Sequence, residues 1–278
     1  MNSTFLPENN DQSDTENQAI YASLSHLTGV DRPALVFRTI AASPGALPWC
    51  WQRIGPLYEQ GLVQRAGWRI GPALALPSGL AISQEALDLV GITDADKQKI
   101  EKALDAYNRV NPCNLIAIGV LSHALRAAGS NSGVPDGRAS HDPWTPPEPV
   151  IPVTTMVAPE QMPDAVSRLI AHISLDQPLA GQPVLVPSLY RHLANVPAFL
   201  ALASVLLRPL LLQGQLAALV TQVREQAMQE SARLSETFTA HAPDPLPDQE
   251  RMQALFERFS WKIPEMIVVG EILRRALP

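Results

Sequence analysis

One segment of the chain occurs twice, 153 residues apart, and the two copies align without a gap. The copies are FRTIAASPGALPWCWQRIGPLYEQG (37–61) and YRHLANVPAFLALASVLLRPLLLQG (190–214). The identical pairs are Arg38/Arg191, Ala41/Ala194, Pro44/Pro197, Leu47/Leu200, Pro56/Pro209, Leu57/Leu210, Gln60/Gln213 and Gly61/Gly214. Matched prolines argue against chance similarity, because proline fixes φ and interrupts helices at defined positions. The recurrence of Arg38 and Arg191 favours a structural role for both, tying helix ends together.

A second match, at a shift of 152, joins the ends of the two halves. It places LDAYNRVNPCNLIAIGVLSHAL (104–125) over FERFSWKIPEMIVVGEILRRAL (256–277), with Pro112 over Pro264. Leu and Ala dominate the chain, and β-branched and aromatic residues form no alternating runs, so the pattern indicates helices rather than strands. We therefore predict an all-α fold of two tandem related helical repeats, packed as a pseudo-dimer around a central cleft, which is a natural place for a small-molecule site.

Two helix starts can be read from the sequence. Thr93 is a capping residue followed by acidic residues, which are favourable at the positive end of a helix dipole. Asn111 precedes Pro112, and this pattern is typical of a cap followed by proline at the first helical position. We expect helices to begin at both places, and the apolar run that follows Asn111 to be buried.

Composition divides the chain into four parts. Residues 1–18 are polar and acidic, which predicts a flexible N-terminal arm. Residues 19–128 form the first helical repeat and residues 153–278 the second. Residues 129–152 are rich in Pro, Gly and Ser, which predicts a linker between the repeats.

The overall composition excludes several kinds of partner. The formal net charge of the 278 residues is −6, and no Lys/Arg cluster could neutralise a run of phosphates, so we expect no nucleic-acid partner. The most apolar window, 196–220, is interrupted by Arg208, Pro209 and Gln213, which predicts a buried helix pair and no membrane span. With no apolar core for a signal peptide, we expect a cytoplasmic protein.

No standard catalytic or cofactor motif occurs in the sequence. P-loop, GxGxxG, HExxH and GxSxG patterns are absent, and the six histidines show no pairing at helical spacing. We therefore expect no cofactor and no metal. The remaining candidates are polar residues at the predicted starts of the repeat helices, where free N–H groups could hold a small anion. They are Asn108, Asn111, Asn114, Ser188, His192 and Asn195, and the alternative is that Asn111 and Ser188 are only a helix cap and a turn partner.

Three of the quoted stretches together resemble a known family. RPALVFRTIAASPGALPWCWQR, KIEKALDAYNRVNPCNLI and LYRHLANVPAFL are similar to motifs of the group I haloacid dehalogenases, which hydrolyse both D- and L-2-haloacids. The motifs occur in the right order and spacing, from about residue 20 to the end. The resemblance implies an all-α fold of two repeats with an active site between them. It also implies an aspartate that activates a water for direct attack on the halogen-bearing carbon.

Carried over position by position, the resemblance keeps part of that site and loses its base. Asn111 matches the asparagine that helps to hold the water, and Ser188 matches a neighbouring serine. The water-activating aspartate falls on Leu189, which cannot take a proton. The loss of a general base typically costs about 10²–10⁴-fold in rate. The resemblance thus implies the fold, while Leu189 argues against the family's mechanism.

The rest of the implied pocket is also changed. Two aromatic positions fall on Arg32 and Leu35, and a pocket tyrosine falls on Asn114. Arg32 could bind a substrate carboxylate with two hydrogen bonds. The nearest replacement base in sequence is His192, and Glu265 and Glu271 are other candidates.

Three functions stay open at this point. The first is hydrolysis of small 2-substituted acids with a replacement base. The second is non-catalytic binding of a small carboxylic acid, or unrelated chemistry, in a diverged family member. The third is a helical scaffold whose interior is filled. The expected partner is a small-molecule carboxylic acid, and a homodimer is an open alternative to a monomer.

Overall fold

The structure, a computed structural model, describes residues 6–9, 14–127, 144–149, 155–175, 185–237 and 246–278. Helices and the turns between them make up these residues, and no strand occurs among them, so the all-α prediction is confirmed. A short 3₁₀ helix covers Pro159–Gln161. The α-helices are α1 (Thr15–Thr28), α2 (Leu35–Ile40), α3 (Ala46–Glu59), α4 (Leu62–Gly67), α5 (Gln84–Leu89), α6 (Asp94–Ala127), α7 (Asp164–Ile173), α8 (Ser188–Leu193), α9 (Pro197–Leu212), α10 (Gln215–Thr237) and α11 (Gln249–Ala276).

Two long helices, α6 and α11, form the centre of the fold. They pack against each other, α10 packs on both, and α4 and α8 pack on α6. The contact between α6 and α11 is close at Gly270, where an added β-carbon would collide with the side chain of Asn108. Around this centre, α1 packs on α3 and α7 packs on α9. The core is therefore built mainly from the two helices that contain the matched prolines.

One predicted helix start is confirmed and the other is wrong. Thr93 Oγ1 accepts from the backbone N–H of Asp96 at 3.2 Å, so Thr93 caps α6 as expected. Asn111 does not begin a helix, because α6 continues through Pro112 to Ala127. Proline removes one helical hydrogen bond, but buried packing on both sides holds the helix together. The end of α4 lies directly on this turn, since a β-carbon at Gly67 would be 2.8 Å from the carbonyl carbon of Pro112.

Positions matched at the shift of 153 have the same local backbone. Helix α2 covers residues 35–40 and α8 covers residues 188–193, so their bounds differ by 153 at both ends. Gly61 lies between α3 and α4 with φ +69°, and Gly214 lies between α9 and α10 with φ +73°. Glycine adopts positive φ without steric cost, which accounts for its presence at both turns.

The structure differs in two places from the flexible N-terminal arm predicted over residues 1–18. Helix α1 begins within it, at Thr15, and residues 6–9 lie against the core. The backbone N–H of Asn9 donates to the carbonyl of Arg38 at 2.9 Å, and the Tyr21 hydroxyl donates to the carbonyl of Asn9 at 3.1 Å. A polar segment can be held in place when its hydrogen-bonding groups find partners, even where it buries little apolar surface.

Most of the predicted linker lies outside the described residues, which include only 144–149 of it. Within that stretch Trp144 packs against Gly61, and the carbonyl of Glu148 accepts from Arg109 Nη1 at 2.7 Å. The described end of the linker thus lies on the first repeat.

Across the described ranges, no single helix has the length and hydropathy to cross a membrane. The apolar window at 196–220 is a pair of helices, as predicted. Helices α9 and α10 would reach that length and hydropathy only together, and they are bent by 82° relative to each other.

A candidate ligand cavity between the halves

A cavity with a volume of about 80 Å³ opens beside the centre of the fold. Its walls come from residues 30–38, α6, α8 and α11. A water-sized position needs about 10–15 Å³ of such volume, so the space corresponds to roughly six heavy atoms. The cavity therefore fits a small organic molecule.

The structure brings most of the residues predicted for the site to this one cavity. Those that line it are Arg32, Leu35, Asn111, Asn114, Ser188, Leu189 and His192. Six of these seven are buried, although they come from α2, α6 and α8, and Arg32 is exposed at the mouth. Asn108 and Asn195 are not among the lining residues. Helix packing has thus united residues that sequence placed 160 positions apart.

The two asparagines lie on the wall formed by α6, one turn apart. Because Asn111 is inside the helix, the converging helix N-termini predicted as an anion site are not present there. The side chain of Asn114 is 2% exposed. Its Oδ1 has no hydrogen-bond partner among the residues that the structure describes. Asn114 thus lines the cavity, while its Oδ1 is itself buried.

Leu189 forms part of the cavity wall contributed by α8. Its side chain is 1% exposed and offers only hydrocarbon. Ser188, directly before it, is 8% exposed and also lines the cavity. At this wall, a carboxylate would lie in a desolvated place, whereas leucine packs there without an electrostatic cost.

His192 is joined to a tyrosine that the sequence did not single out. His192 Nδ1 is 2.7 Å from Tyr107 Oη, and the ring centroids are 5.4 Å apart. Both residues line the cavity. Burial raises the pKa of Tyr107, while nearby Ser188 and the charge of Arg38 act in the opposite direction. Tyr107 therefore stays a neutral phenol that fixes the imidazole ring of His192.

The two glutamates proposed as replacement bases lie elsewhere. Glu265 Oε2 accepts from Lys262 Nζ at 2.7 Å, and Glu265 Oε1 accepts from the backbone N–H of Leu175 at 3.3 Å. Glu271 pairs with Arg275 at 3.1 Å. Neither glutamate lines the cavity, so both candidates are wrong. Lys262 does line it and is only 4% exposed.

A charged cluster of three residues borders the cavity. Glu8 Oε1 accepts from Arg191 Nη1 at 2.9 Å, and Glu8 Oε2 binds Arg38 Nη1. Arg191 Nε also donates to the carbonyl of Val157 at 3.0 Å. Burial lowers the pKa of Arg38, and the charge of Glu8 opposes this shift. Arg38 and Arg191 thus share one carboxylate.

Solved structures give this architecture a precedent. The chain has the fold of the D-2-haloacid dehalogenases. A crystal structure of a D-2-haloacid dehalogenase mutant aligns with a TM-score of 0.75 and 18% identity, over 99% of this chain and 96% of that one. Complexes of such enzymes with D-2-CPA (a mutant, 17% identity) and with L-LA (18% identity) each align with a TM-score of 0.73. Each alignment covers 95% of this chain and 93% of the other.

Sequence comparison alone finds no such precedent. No known family profile matches the chain, and no curated protein matches its sequence. The fold implied by the short motifs is therefore confirmed by structure, at a level of identity that shows the fold alone.

The internal match between α6 and α11 is a signal from which Tyr107 and Lys262 could have been predicted. Four positions on α6 and their partners 152 residues later on α11 all line the cavity. These pairs are Tyr107/Phe259, Val110/Lys262, Asn111/Ile263 and Asn114/Met266. The match at a shift of 152 that predicts the repeat therefore pairs each of these α6 residues with an α11 residue that also lines the cavity. Applied to Asn111 and Asn114, this match predicts that α11 is part of the site.

Among the described residues, no group of three or more His, Cys, Asp or Glu side chains could hold a metal ion. The chemistry of the cavity must be considered from the side chains that line it.

Proposed function

We propose that this protein is a diverged member of the haloacid dehalogenase family, which binds a small 2-substituted carboxylic acid and lacks the family's carboxylate-activated water. The observation that carries the proposal is Leu189. It lies in the cavity wall at the position where the family resemblance places the aspartate. The cavity is retained and the base is lost.

The charges around the cavity support an acidic ligand. Arg32, Arg38 and Lys262 line it, and the carboxylate found among the described lining residues is that of Asp31. Cations near an apolar, partly desolvated cavity favour an anion more strongly than they would in water. Glu8 and Glu265 balance two of the cations from outside the lining, which makes the cavity mildly rather than strongly attractive to anions.

The residues that line the cavity also argue against direct attack by a water molecule. Asp31 is exposed at the mouth, so it does not replace a carboxylate buried at Leu189. Hydrolysis by this route needs a base within hydrogen-bond reach of the attacking water. The filled interior that a pure scaffold requires is not observed, because the space between α6, α8 and α11 is open.

Two measurements on the purified protein test the proposal. Titration calorimetry with 2-chloropropionate should show saturable binding, and 2-chloropropionamide, which has no charge, should bind at least tenfold more weakly. Halide release from 2-chloropropionate, followed by ion chromatography, should not exceed that of buffer. The absence of binding would refute the retained cavity, and steady halide release would refute the lost activity.

A second candidate function is hydrolysis with His192 as the base, favoured by the 2.7 Å contact that fixes its ring to Tyr107. In that case halide release should be measurable in the native protein and should fall by at least a hundredfold in His192→Asn. Halide release by the native protein distinguishes the two candidates, and Leu189→Asp is a further test of the first. We expect this variant to remain inactive, since several aromatic pocket positions have also changed.

A further inference from the structure

The turn between α3 and α4 and the matched turn between α9 and α10 have the same backbone but different surroundings. The matched glycines, Gly61 and Gly214, have φ +69° and +73°. In the first copy the turn is covered, because a β-carbon added at Gly61 would collide with the indole ring of Trp144. Within the described part of the chain, nothing beyond its two chain neighbours lies within 4 Å of a β-carbon added at Gly214. The same turn is therefore covered once and uncovered once.

The exposure of the neighbouring residues shows the same difference. In the first copy the residues of this turn are buried or half-buried, and these are Pro56, Gln60, Gly61 and Leu62. Their partners at the shift of 153 are all exposed, and these are Pro209, Gln213, Gly214 and Gln215. The cover over the first turn thus has no counterpart over the second among the described residues.

The uncovered turn continues into an apolar stripe on α9. We use the name α9 stripe for four exposed residues on one side of this helix, Ala201, Val205, Pro209 and Leu212. Their spacing of three or four residues places them on one helix face. Val205 is 70% exposed and Leu212 is 69% exposed. An exposed group of apolar side chains of this kind marks a contact with another molecule more often than a scatter of single residues does.

The first copy carries polar residues where the α9 stripe is most exposed. Gln52 matches Val205 and Glu59 matches Leu212, and both Gln52 and Glu59 are exposed. From residue 197 to residue 223, Arg208 is the only Asp, Glu, Lys or Arg in the sequence. The face of α9 is therefore both less covered and less polar than the matched face of α3, so its partner must also be mainly apolar.

The segment that covers the first turn shows which chemistry fits such a surface. In the stretch WTPPEP (144–149), Trp144, Pro146 and Pro147 are half-buried, while the other three residues are exposed. A β-carbon at Gly29 would be 3.1 Å from Cγ of Pro147, so this proline also contacts the first repeat. Proline fixes φ, so an extended proline-rich segment loses little conformational entropy when it docks. One tryptophan and two prolines hold the segment in place.

We propose that the uncovered turn at Gly214 and the α9 stripe form a docking surface for an extended segment of a partner protein that contains tryptophan and proline. Gly214 has no β-carbon, so an indole ring can lie directly on the turn, as Trp144 lies on Gly61. Val205 and Leu212 supply the apolar contact along the helix. None of these residues lines the cavity between α6, α8 and α11, so the inference is independent of the proposed function.

The hexapeptide WTPPEP, labelled with a fluorophore at its C-terminal end, is the probe that tests the proposal. Fluorescence polarisation should show saturable binding of this peptide to the full chain. Val205→Glu and Leu212→Glu should each weaken binding by about tenfold or more, because the peptide would have to desolvate a carboxylate. A peptide with alanine in place of tryptophan should lose affinity to a similar extent. The absence of saturable binding, or equal binding of the two peptides, would overturn the proposal.

The matched control is Gln52→Glu, which places the same charge at the equivalent exposed position of the first copy. It should leave binding of the peptide unchanged. Weaker binding in Gln52→Glu, with normal binding in Val205→Glu and Leu212→Glu, would place the peptide on the first copy and overturn the proposal. All three positions are exposed, so the variants should melt near the wild type, and a binding defect is then a property of the surface.

Sedimentation velocity tests the other possible occupant of the surface, a second copy of this chain. The wild type and Leu212→Glu should sediment as the same species. A dimer of the wild type that Leu212→Glu converts to a monomer would show that a second copy covers the α9 stripe, and would overturn the assignment to a partner protein.

Discussion

Glu8 holds the N-terminal segment to both halves of the fold, so its removal should destabilise the whole chain. The carboxylate joins Arg38 and Arg191, whose side chains are 10% and 9% exposed, and is itself 18% exposed. In Glu8→Ala, both guanidinium groups lose a charge-assisted hydrogen bond, each worth about 1.5–3 kcal/mol. The freed residues regain conformational entropy, and water reaches the partly exposed site, so part of this loss is offset.

The expected net effect is a loss of about 2–4 kcal/mol in the free energy of unfolding, in the range seen when one member of a buried ion pair is removed. For a chain of this size, such a loss lowers the melting temperature by about 5–10 °C. Urea unfolding followed by circular dichroism at 222 nm gives the free energy directly. The matched control is Glu257→Ala, an exposed acid on α11, which should change stability by less than about 0.5 kcal/mol. A Glu8→Ala variant as stable as this control would refute the argument.

Three other predictions concern single residues. Hydrogen bonds from Lys99 and then Thr93 lower the pKa of Asp96 to about 2. The contribution of the Asp96 carboxylate to stability should therefore be complete above the unfolded-state pKa and be lost as the pH falls through about 2. NMR titration of the carboxyl carbon checks this pKa, and Thr93→Ala should raise it. Burial raises the pKa of Cys113 to about 12, so the native protein at pH 8 should leave this thiol unmodified by a disulfide reagent that labels it quickly in urea. Gly270→Val should destabilise the α6–α11 contact by about 1–3 kcal/mol through overpacking, measured by urea unfolding, whereas an unchanged midpoint would show that the contact is loose.

The fold was predictable from the sequence because its main signals are local. Helical composition, matched prolines and matched glycines each act over a few residues, and the matches recur at shifts of 153 and 152. The interior of α6 shows the limit of this approach. The dipeptide Asn111–Pro112 is compatible both with a helix cap and with the interior of a helix. In the structure the helix continues, and α4 packs against that turn at Gly67, 45 residues away in sequence.

The candidate site was predictable to a different degree. The family resemblance selected residues that do meet at one cavity. It did not single out Tyr107, although Tyr107 lies within the quoted motifs, because the contact with His192 joins residues 85 positions apart. The N-terminal arm was misread for a similar reason. Glu8 is polar and lies near the start of the sequence, and its partners are 30 and 183 residues away, so no local pattern could reveal the attachment.

The pairs of cavity residues on α6 and α11 have a consequence for how such a site can change. In a dimer of two identical chains, every substitution near the axis appears on both walls at once, so a new polar group always faces its own copy. Here the two walls belong to different segments of one chain, so a substitution changes only one of them. The α6 wall carries Tyr107, Asn111 and Asn114, while the corresponding positions on α11 carry Phe259, Ile263 and Met266. At these three positions α6 offers polar groups where α11 offers hydrocarbon, and Val110 and Lys262 reverse this at a fourth pair. The two walls therefore differ, so a small ligand has one preferred orientation in the cavity.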